Sequence, residues 1–258
     1  MRLAVFSDIH GNTVALDAVL GDIRSIGGVD GHIILGDLAA IGPDPVGVLE
    51  RVAQLPDAHV VRGNTDRYVL TGERPDWYKR EPGRSQEEIH RTEVEVERSL
   101  SWTQGVVTGT GWDTWLARLP FEFRMDLPDG TQTLAVHATH RSDDDASLVP
   151  TAGDDDMRAL LEDAAAGLVV AGHTHRAIDR HLSPHLRLVN PGSVSNPLPA
   201  EGDIRAGYAL LVADQTGYEV QLRRVDYDHD AFVDRLRVVR HPAAEFISRM
   251  QRRPQSTH

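Results

Sequence analysis

Leu3-Ala4-Val5-Phe6-Ser7-Asp8-Ile9-His10 decides how this chain is read. Four apolar residues in a row, stopped by a polar exit, predict a short strand buried on both faces. An acid and a histidine follow at once. The same arrangement recurs along the chain. Ile33-Ile34-Leu35 runs into Gly36-Asp37, and Val60-Val61 runs towards Gly63-Asn64. Leu134-Ala135-Val136 runs into His137, and Leu168-Val169-Val170-Ala171 into Gly172-His173-Thr174-His175. Each apolar run ends at a side chain able to bind a metal.

Between the runs the spacing changes from strand to helix. Leu16, Val19, Leu20, Ile23 and Ile26 fall on one helical face, which Gly27-Gly28 ends. A second helix is expected over 45–55, with Pro45 in its first turn. Strand, helix, strand, helix, strand predicts parallel βαβ units. In an open parallel sheet the carboxyl ends of the strands face one crevice, where ligands bind.

Residues 69–84 read as loop, with Pro75, Pro82 and Gly83. Residues 85–104, rich in Glu and Arg, read as helix, and a short amphipathic helix is expected around Trp112, Trp115, Leu116 and Leu119. The stretch 70–119 is therefore a helical excursion from the sheet, placed to cap the crevice. Packing within that cap is expected for Trp77 and Tyr78, with stacking on a base as the alternative. Pro128-Asp129-Gly130 predicts a hairpin turn between strands at 121–127 and 131–136. The acid clusters at 143–145 and 154–156 read as solvated loop and as a helix N-terminus before Met157. Strands near Ile178 and over 186–189, 208–213 and 220–225 make the second half richer in antiparallel pairing. Helices are expected over 230–238 and 242–250, followed by a frayed tail from Arg252. Residues 1–240 read as one domain that includes the cap, and 241–258 as a C-terminal helix and tail.

Composition excludes several classes. The 27 basic residues against 39 acidic ones leave a formal charge of -12, which gives no support to binding a nucleic-acid polymer by counterion release. An acidic protein can still act on an anion if bound cations dominate the local field. Without cysteine there is no disulfide and no thiolate metal site. The N-terminal run has no signal-peptide architecture, and no apolar stretch approaches the ~20 residues that span a bilayer. A cytoplasmic protein is expected.

The ligand types narrow the chemistry. Asp8-Ile9-His10 is one of four Asp-x-His matches, with Asp30-Gly31-His32, Asp57-Ala58-His59 and Asp179-Arg180-His181. Only the first follows an apolar run directly, and Asp179 and His181 read as surface. Gly-His-x-His carries more weight, since composition predicts roughly one match in twenty such chains. Asp8, His10, Asp37, Asn64, His137, His173 and His175 together exceed what a single tetrahedral zinc site uses. Oxygen and imidazole ligands without thiolate favour Mn, Fe, Zn, Co or Ni. Two such ions ~3.5–4 Å apart, sharing one carboxylate, suit in-line displacement at phosphorus.

Taken in order, Asp8-Ile9-His10, Gly36-Asp37, Gly63-Asn64, His137 and Gly172-His173-Thr174-His175 resemble the motifs of the calcineurin-like metallophosphoesterases. Asn190-Pro191-Gly192-Ser193 resembles a further loop of that family. The resemblance implies an α/β (α+β) four-layer sandwich, two mixed β-sheets flanked by helices. It implies two divalent or trivalent transition metal ions. Asp8, His10 and His175 would hold the first, and Asn64, His137 and His173 the second. Asp37 would bridge them, and a metal-bridging hydroxide would be the nucleophile. Asp37, Asn64 and His173 would thus carry the catalysis.

One departure concerns the leaving group. Many relatives follow Gly-Asn with a histidine that protonates it, whereas Gly63-Asn64-Thr65-Asp66 stands here. This form resembles a bacterial phosphodiesterase branch. Asp66 and His140 are candidates for the missing acid, with a supporting role as the alternative. Arg62, Arg67 and Arg141 suit phosphate recognition, with a solvated surface role as the alternative. The expected activity is phosphodiester hydrolysis on a small, nucleotide-like substrate. The alternatives are a phosphomonoesterase or protein phosphatase, and a catalytically silent scaffold that binds protein. The scaffold reading is disfavoured because every expected ligand is present.

Overall fold

In the computed structural model, which describes residues 1–80, 82–195 and 203–251, the apolar runs are strands whose alternate residues serve different cores. The first half runs β1 (Arg2–Phe6), α1 (Thr13–Ser25), β2 (Gly31–Ile34), α2 (Pro45–Ala53), β3 (Ala58–Val60) and α3 (Asn64–Thr71). The excursion follows as α4 (Trp77–Arg80), α5 (Gln86–Gly109) and α6 (Asp113–Leu116). The second half runs β4 (Glu122–Asp126), β5 (Gln132–Val136), α7 (Asp154–Leu160), β6 (Leu168–Val170), β7 (Ile178–Ser183) and β8 (Leu186–Asn190). It ends with β9 (Ala206–Asp214), β10 (Gly217–Val225), α8 (His229–Val238) and α9 (Ala244–Met250). The tail expected from Arg252 lies outside the described residues.

The strands form two five-stranded mixed sheets, ordered β10-β9-β1-β2-β3 and β4-β5-β6-β8-β7. Each is built on a parallel trio, β1-β2-β3 in one and β5-β6-β8 in the other, with antiparallel neighbours outside. The strand ends therefore belong to two mixed sheets, as the family resemblance implies, and not to the one open parallel sheet that the βαβ rhythm alone suggests. The long-range pairing of β9 with β1 separates them.

Side-chain alternation glues the layers. Leu3 and Val5 of β1, Ile33 of β2, and Ala135, Leu168, Val170 and Val189 of the other sheet share the core between the sheets. Ala4, Phe6 and Ile34 point outward, against Leu16 and Val19 of α1 and Val48 and Leu49 of α2. Leu134, Val136, Val169 and Leu188 pack on Met157 and Leu161 beyond the other sheet. Burial on both faces is why β1 reads as a continuous apolar run.

Helices α1, α2, α5 and α8 begin where side chains satisfy their free N–H groups. Asn12 Oδ1 accepts from Ala15 N at 3.0 Å, and Asp44 caps α2 with Pro45 behind it. Ser85 and Glu88 form a capping box at the start of α5. The stretch expected as loop over 69–84 is partly helical. The helix opened by Asn64 runs on to Thr71 and stops at Gly72, whose φ is +79°, and Trp77–Arg80 adds a further turn. Val69 and Tyr78 are drawn into the core shared with α5, which overrides the weak local preference. Helix α5 is also longer than expected, reaching Gly109. Among the described residues no helix is long and apolar enough to cross a membrane.

Candidate metal centre

Strand register brings the ends of both sheets to one edge. Phe6 pairs with Ile34, and Ile34 with Val60. The loops leaving these strands bond to each other: Asp8 N donates to Gly36 O at 3.1 Å, and His10 N to Asp37 O at 2.9 Å. In the other sheet, Gly172 N donates to His137 O at 2.7 Å. Cross-sheet bonds then close the edge. His173 N donates to Asp8 Oδ2 at 3.1 Å, and Ser193 Oγ to Asp8 O at 3.0 Å. Asn190 Nδ2 donates to Gly172 O at 2.7 Å, which ties the Asn190-Pro191-Gly192-Ser193 loop to the same place.

Close approach explains the glycines. A Cβ on Gly63 would lie 2.1 Å from Asp37 Oδ1, and one on Gly172 would lie 2.0 Å from Ser7 Oγ. The expected ligands themselves bear backbone strain. Asp8, His10, Asp37, His173 and His175 all have φ between 49° and 65°. That left-handed region is sparsely used by residues with a Cβ, and such residues cluster at functional sites.

The side chains converge. Among the described residues, Asp8, His10 and His175 bring ligand atoms within 4.8 Å of one another, as do Asp8, Asp37 and His137. His175 Nε2 lies 3.3 Å from Asp8 Oδ1. Asp37 reaches both sides, with Oδ2 at 3.7 Å from His10 Nε2 and Oδ1 at 3.5 Å from His137 Nε2. Asn64 Oδ1 is 3.0 Å from His137 Nε2. The His173 ring lies 5.1 Å from that of His137. All seven expected ligands thus lie close together.

Proton positions favour a cation. His10 Nδ1 bonds to Ala40 O and His137 Nδ1 to Leu35 O, each at 2.6 Å. A carbonyl only accepts, so each Nδ1 carries the proton and, in the neutral ring, Nε2 presents its lone pair inward. Asp8 and Asp37 are buried, and the imidazole of His175 stands 3.3 Å from Asp8 Oδ1. Two buried carboxylates ringed by imidazoles are costly without positive charge. The donor set therefore fits metal ions.

The electrostatics agree. Burial lowers the pKa of His10 to about 4 and of His173 to about 3, with His175 and His137 respectively adding repulsion. Burial opposes charge on His137 too, but Asp37 and Asp8 outweigh it and raise its pKa. Burial would raise Asp8, yet His175 and its neighbours hold it below the ordinary carboxylate range. Asp37 is raised by burial and by the charge of Asp8.

The remaining candidates are bonded to other groups. Asp66 is fully buried and committed to backbone, accepting from Asp37 N and Leu38 N at 2.9 Å and Gly63 N at 3.0 Å. It holds the Asp37 and Asn64 loops together, an arrangement unlike that of an acid facing a leaving group. Burial, and then Asp37, raise its pKa to about 6. His140 Nε2 and Arg141 both bond to Asp163. Tyr78 packs inside the core, while Trp77 stays 47% exposed. Asp179 and His181 are exposed, as expected.

Arg62 and Arg67 face a carboxylate that the sequence reading placed in solvent. Arg67 grips Asp143 with Nε to Oδ2 and Nη2 to Oδ1, each at 2.9 Å, and Arg62 Nη2 adds a contact at 3.4 Å. Asp143 is buried. Its neighbour Asp144 accepts from Asn64 Nδ2 at 3.0 Å and from the Tyr68 hydroxyl. The expectation of a solvated 143–145 loop is thus corrected at Asp143, where a fixed bidentate pair repays desolvation that a lone acid would not, while Asp144 is exposed as expected. The sequence signal was Arg62 and Arg67 themselves, two guanidinium groups beside a half-buried loop and in need of a partner. The acids at 154–156 do open α7, as expected.

Comparison with known proteins agrees with this geometry. Residues 1–216 match the calcineurin-like phosphoesterase superfamily domain. The chain is 27% identical over 241 residues to the uncharacterized protein MJ0912 of Methanocaldococcus jannaschii, covering 88% of each. A metallophosphoesterase from Sphaerobacter thermophilus has a similar structure, with a TM-score of 0.68 and 25% identity over 97% of this chain and 98% of that one. The hypothetical protein PH1004 from Pyrococcus horikoshii OT3 shares the fold, with a TM-score of 0.78 and 20% identity over 98% of both chains. The chain belongs to the calcineurin-like phosphoesterase superfamily, a family of metal-dependent phosphoesterases.

Proposed function

We propose that this protein hydrolyses phosphodiesters, of nucleotide-like type, at a centre of two transition metal ions. Asp8, His10 and His175 would hold one ion, and Asn64, His137 and His173 the other. Asp37 would bridge. The observation that carries this reading is the placement of Asp37, with one oxygen towards His10 and the other towards His137. Ions bound there would lower the pKa of water and offset charge on the phosphoryl oxygens.

The chain's own groups supply the rest. The Nδ1 bonds of His10 and His137 fix their rings and aim Nε2 inward. Asp66 clamps the two loops that carry Asp37 and Asn64. The charge balance at the rim supports a diester over a monoester. Asp143 already engages Arg62 and Arg67, so the rim adds little positive charge for a dianion.

The test is hydrolysis of bis(p-nitrophenyl) phosphate and p-nitrophenyl phosphate by protein reconstituted with Mn(II). Faster turnover of the diester is expected. Faster turnover of the monoester would make the protein a phosphomonoesterase. No turnover of either, with metal bound, would favour a scaffold.

A further inference from the structure

Asn64, Arg67 and Tyr68 share one face of α3, at positions i, i+3 and i+4. That face meets the loop after β5. Arg67 binds Asp143 there, and Tyr68 and Asn64 both bind Asp144. The contacts at Asn64 have a direction. A carboxylate only accepts, so Asp144 Oδ1, at 3.0 Å, must face the amide NH2. The Tyr68 hydroxyl donates to the other oxygen of Asp144, and Asn64 Nδ2 lies 3.5 Å from that hydroxyl. With Nδ2 held outward, Oδ1 points inward and stands 3.0 Å from His137 Nε2. Nothing within the amide itself would choose this orientation over its flip, since the two ends are nearly equal in size. Asp144 Oδ1 also lies 4.0 Å from His173 Nε2, so the carboxylate stands beside two of the three side chains assigned to the second ion.

Resting on the two-ion reading above, we propose that Asp144 is a positioning residue for the second metal ion, acting through the Asn64 amide. It turns the amide oxygen inward, and Tyr68 in turn orients Asp144. Arg67 and Asp143 hold the loop at the distance that this requires.

Calorimetric titration of the metal-free protein with Mn(II) tests this, alongside Asp144→Ala, Asp144→Asn, Tyr68→Phe and Asn64→Ala. The second ion is identified as the one whose affinity falls in Asn64→Ala. Asp144→Ala should weaken that ion about ten- to a hundredfold, the usual scale for a lost ligand-orienting contact, and leave the other within about twofold. Asp144→Asn keeps an amide oxygen to accept from Asn64 and should recover most of the affinity. Tyr68→Phe should give a smaller loss at the same ion. A purely structural role would weaken both ions together or lower the melting temperature of the metal-free protein without this selectivity. Either that pattern or unchanged binding in Asp144→Ala would overturn the inference and leave the two-ion reading intact. Fewer than two ions bound by the unsubstituted protein would overturn the two-ion reading itself, and the inference with it.

Discussion

The Nε2 atoms of His10 and His175 face each other 3.2 Å apart. With its Nδ1 proton given to the Ala40 carbonyl, neutral His10 can only present a lone pair to His175. A shared cation between such groups should stabilise the fold. Mn(II) at a hundred times its Kd should add about 3 kcal/mol, or roughly 5–10 °C in melting temperature. Scanning calorimetry with and without chelator measures this. An equal shift in His10→Ala would exclude His10 as the source.

Asp37→Asn tests the bridge. An amide keeps the size of the side chain but loses its charge and one of its two equivalent oxygens. Activity should fall by at least about two orders of magnitude, the scale of losing one preorganised electrostatic group. Metal content by elemental analysis should fall with it. Full activity in this variant would refute the bridging role.

The position of Thr65 and the burial of Asp66 predict a leaving-group dependence. Asp66 is spent on three backbone N–H groups. Without an acid to protonate the departing oxygen, kcat/KM should rise steeply as leaving-group pKa falls. A series of substituted phenyl esters gives the slope. A flat series would mean that another group donates the proton.

Gly172 predicts a steric defect. A methyl group there meets Ser7 Oγ at 2.0 Å, Ser7 Cβ at 2.7 Å and Asp8 Oδ2 at 3.0 Å. Gly172→Ala should cost about 1–3 kcal/mol by overpacking. Metal affinity should fall as well, because Asp8 is displaced. Combining it with Ser7→Gly should recover part of the stability in chemical denaturation.

His241 predicts a pH effect away from the metals. It is buried against the Trp102 ring, 4.5 Å between centroids, and its Nδ1 accepts from Ala243 N at 3.2 Å. Burial lowers its pKa to about 4. The folded state therefore binds this proton less readily than the unfolded state, whose histidine titrates near 6.5. Stability from this group is fully present above about pH 6.5, falls as pH drops towards 4, and levels off below that. The loss should approach about 3 kcal/mol. Unfolding free energies of the native chain and His241→Phe, compared from pH 7 to 4, isolate the effect. Parallel curves would contradict it.

Sequence made the strand ends legible because burial on both faces leaves an unbroken apolar run, and Asp8, Asp37 and His137 each stand just past one. The family motifs implied two mixed sheets, but the apolar runs by themselves did not separate them, since the pairing of Leu3 with Leu211 spans almost the whole chain. Asp143 and Asp144 were hidden for a similar reason. An acid-rich loop looks solvated until the partners of Asp143, Arg67 and Arg62, come from 76 and 81 residues away. Helix α3 was not read from the sequence at all, because its support is tertiary.

The left-handed backbone at Asp8, His10, Asp37, His173 and His175 gives the fold an asymmetric future. Each such residue costs on the order of 1 kcal/mol that glycine would not. Substitution by glycine at any of the five would remove a ligand and relax the chain at once. That relaxation would stabilise the metal-free chain alone, because the protein with its ions bound would lose their larger binding energy at the same stroke.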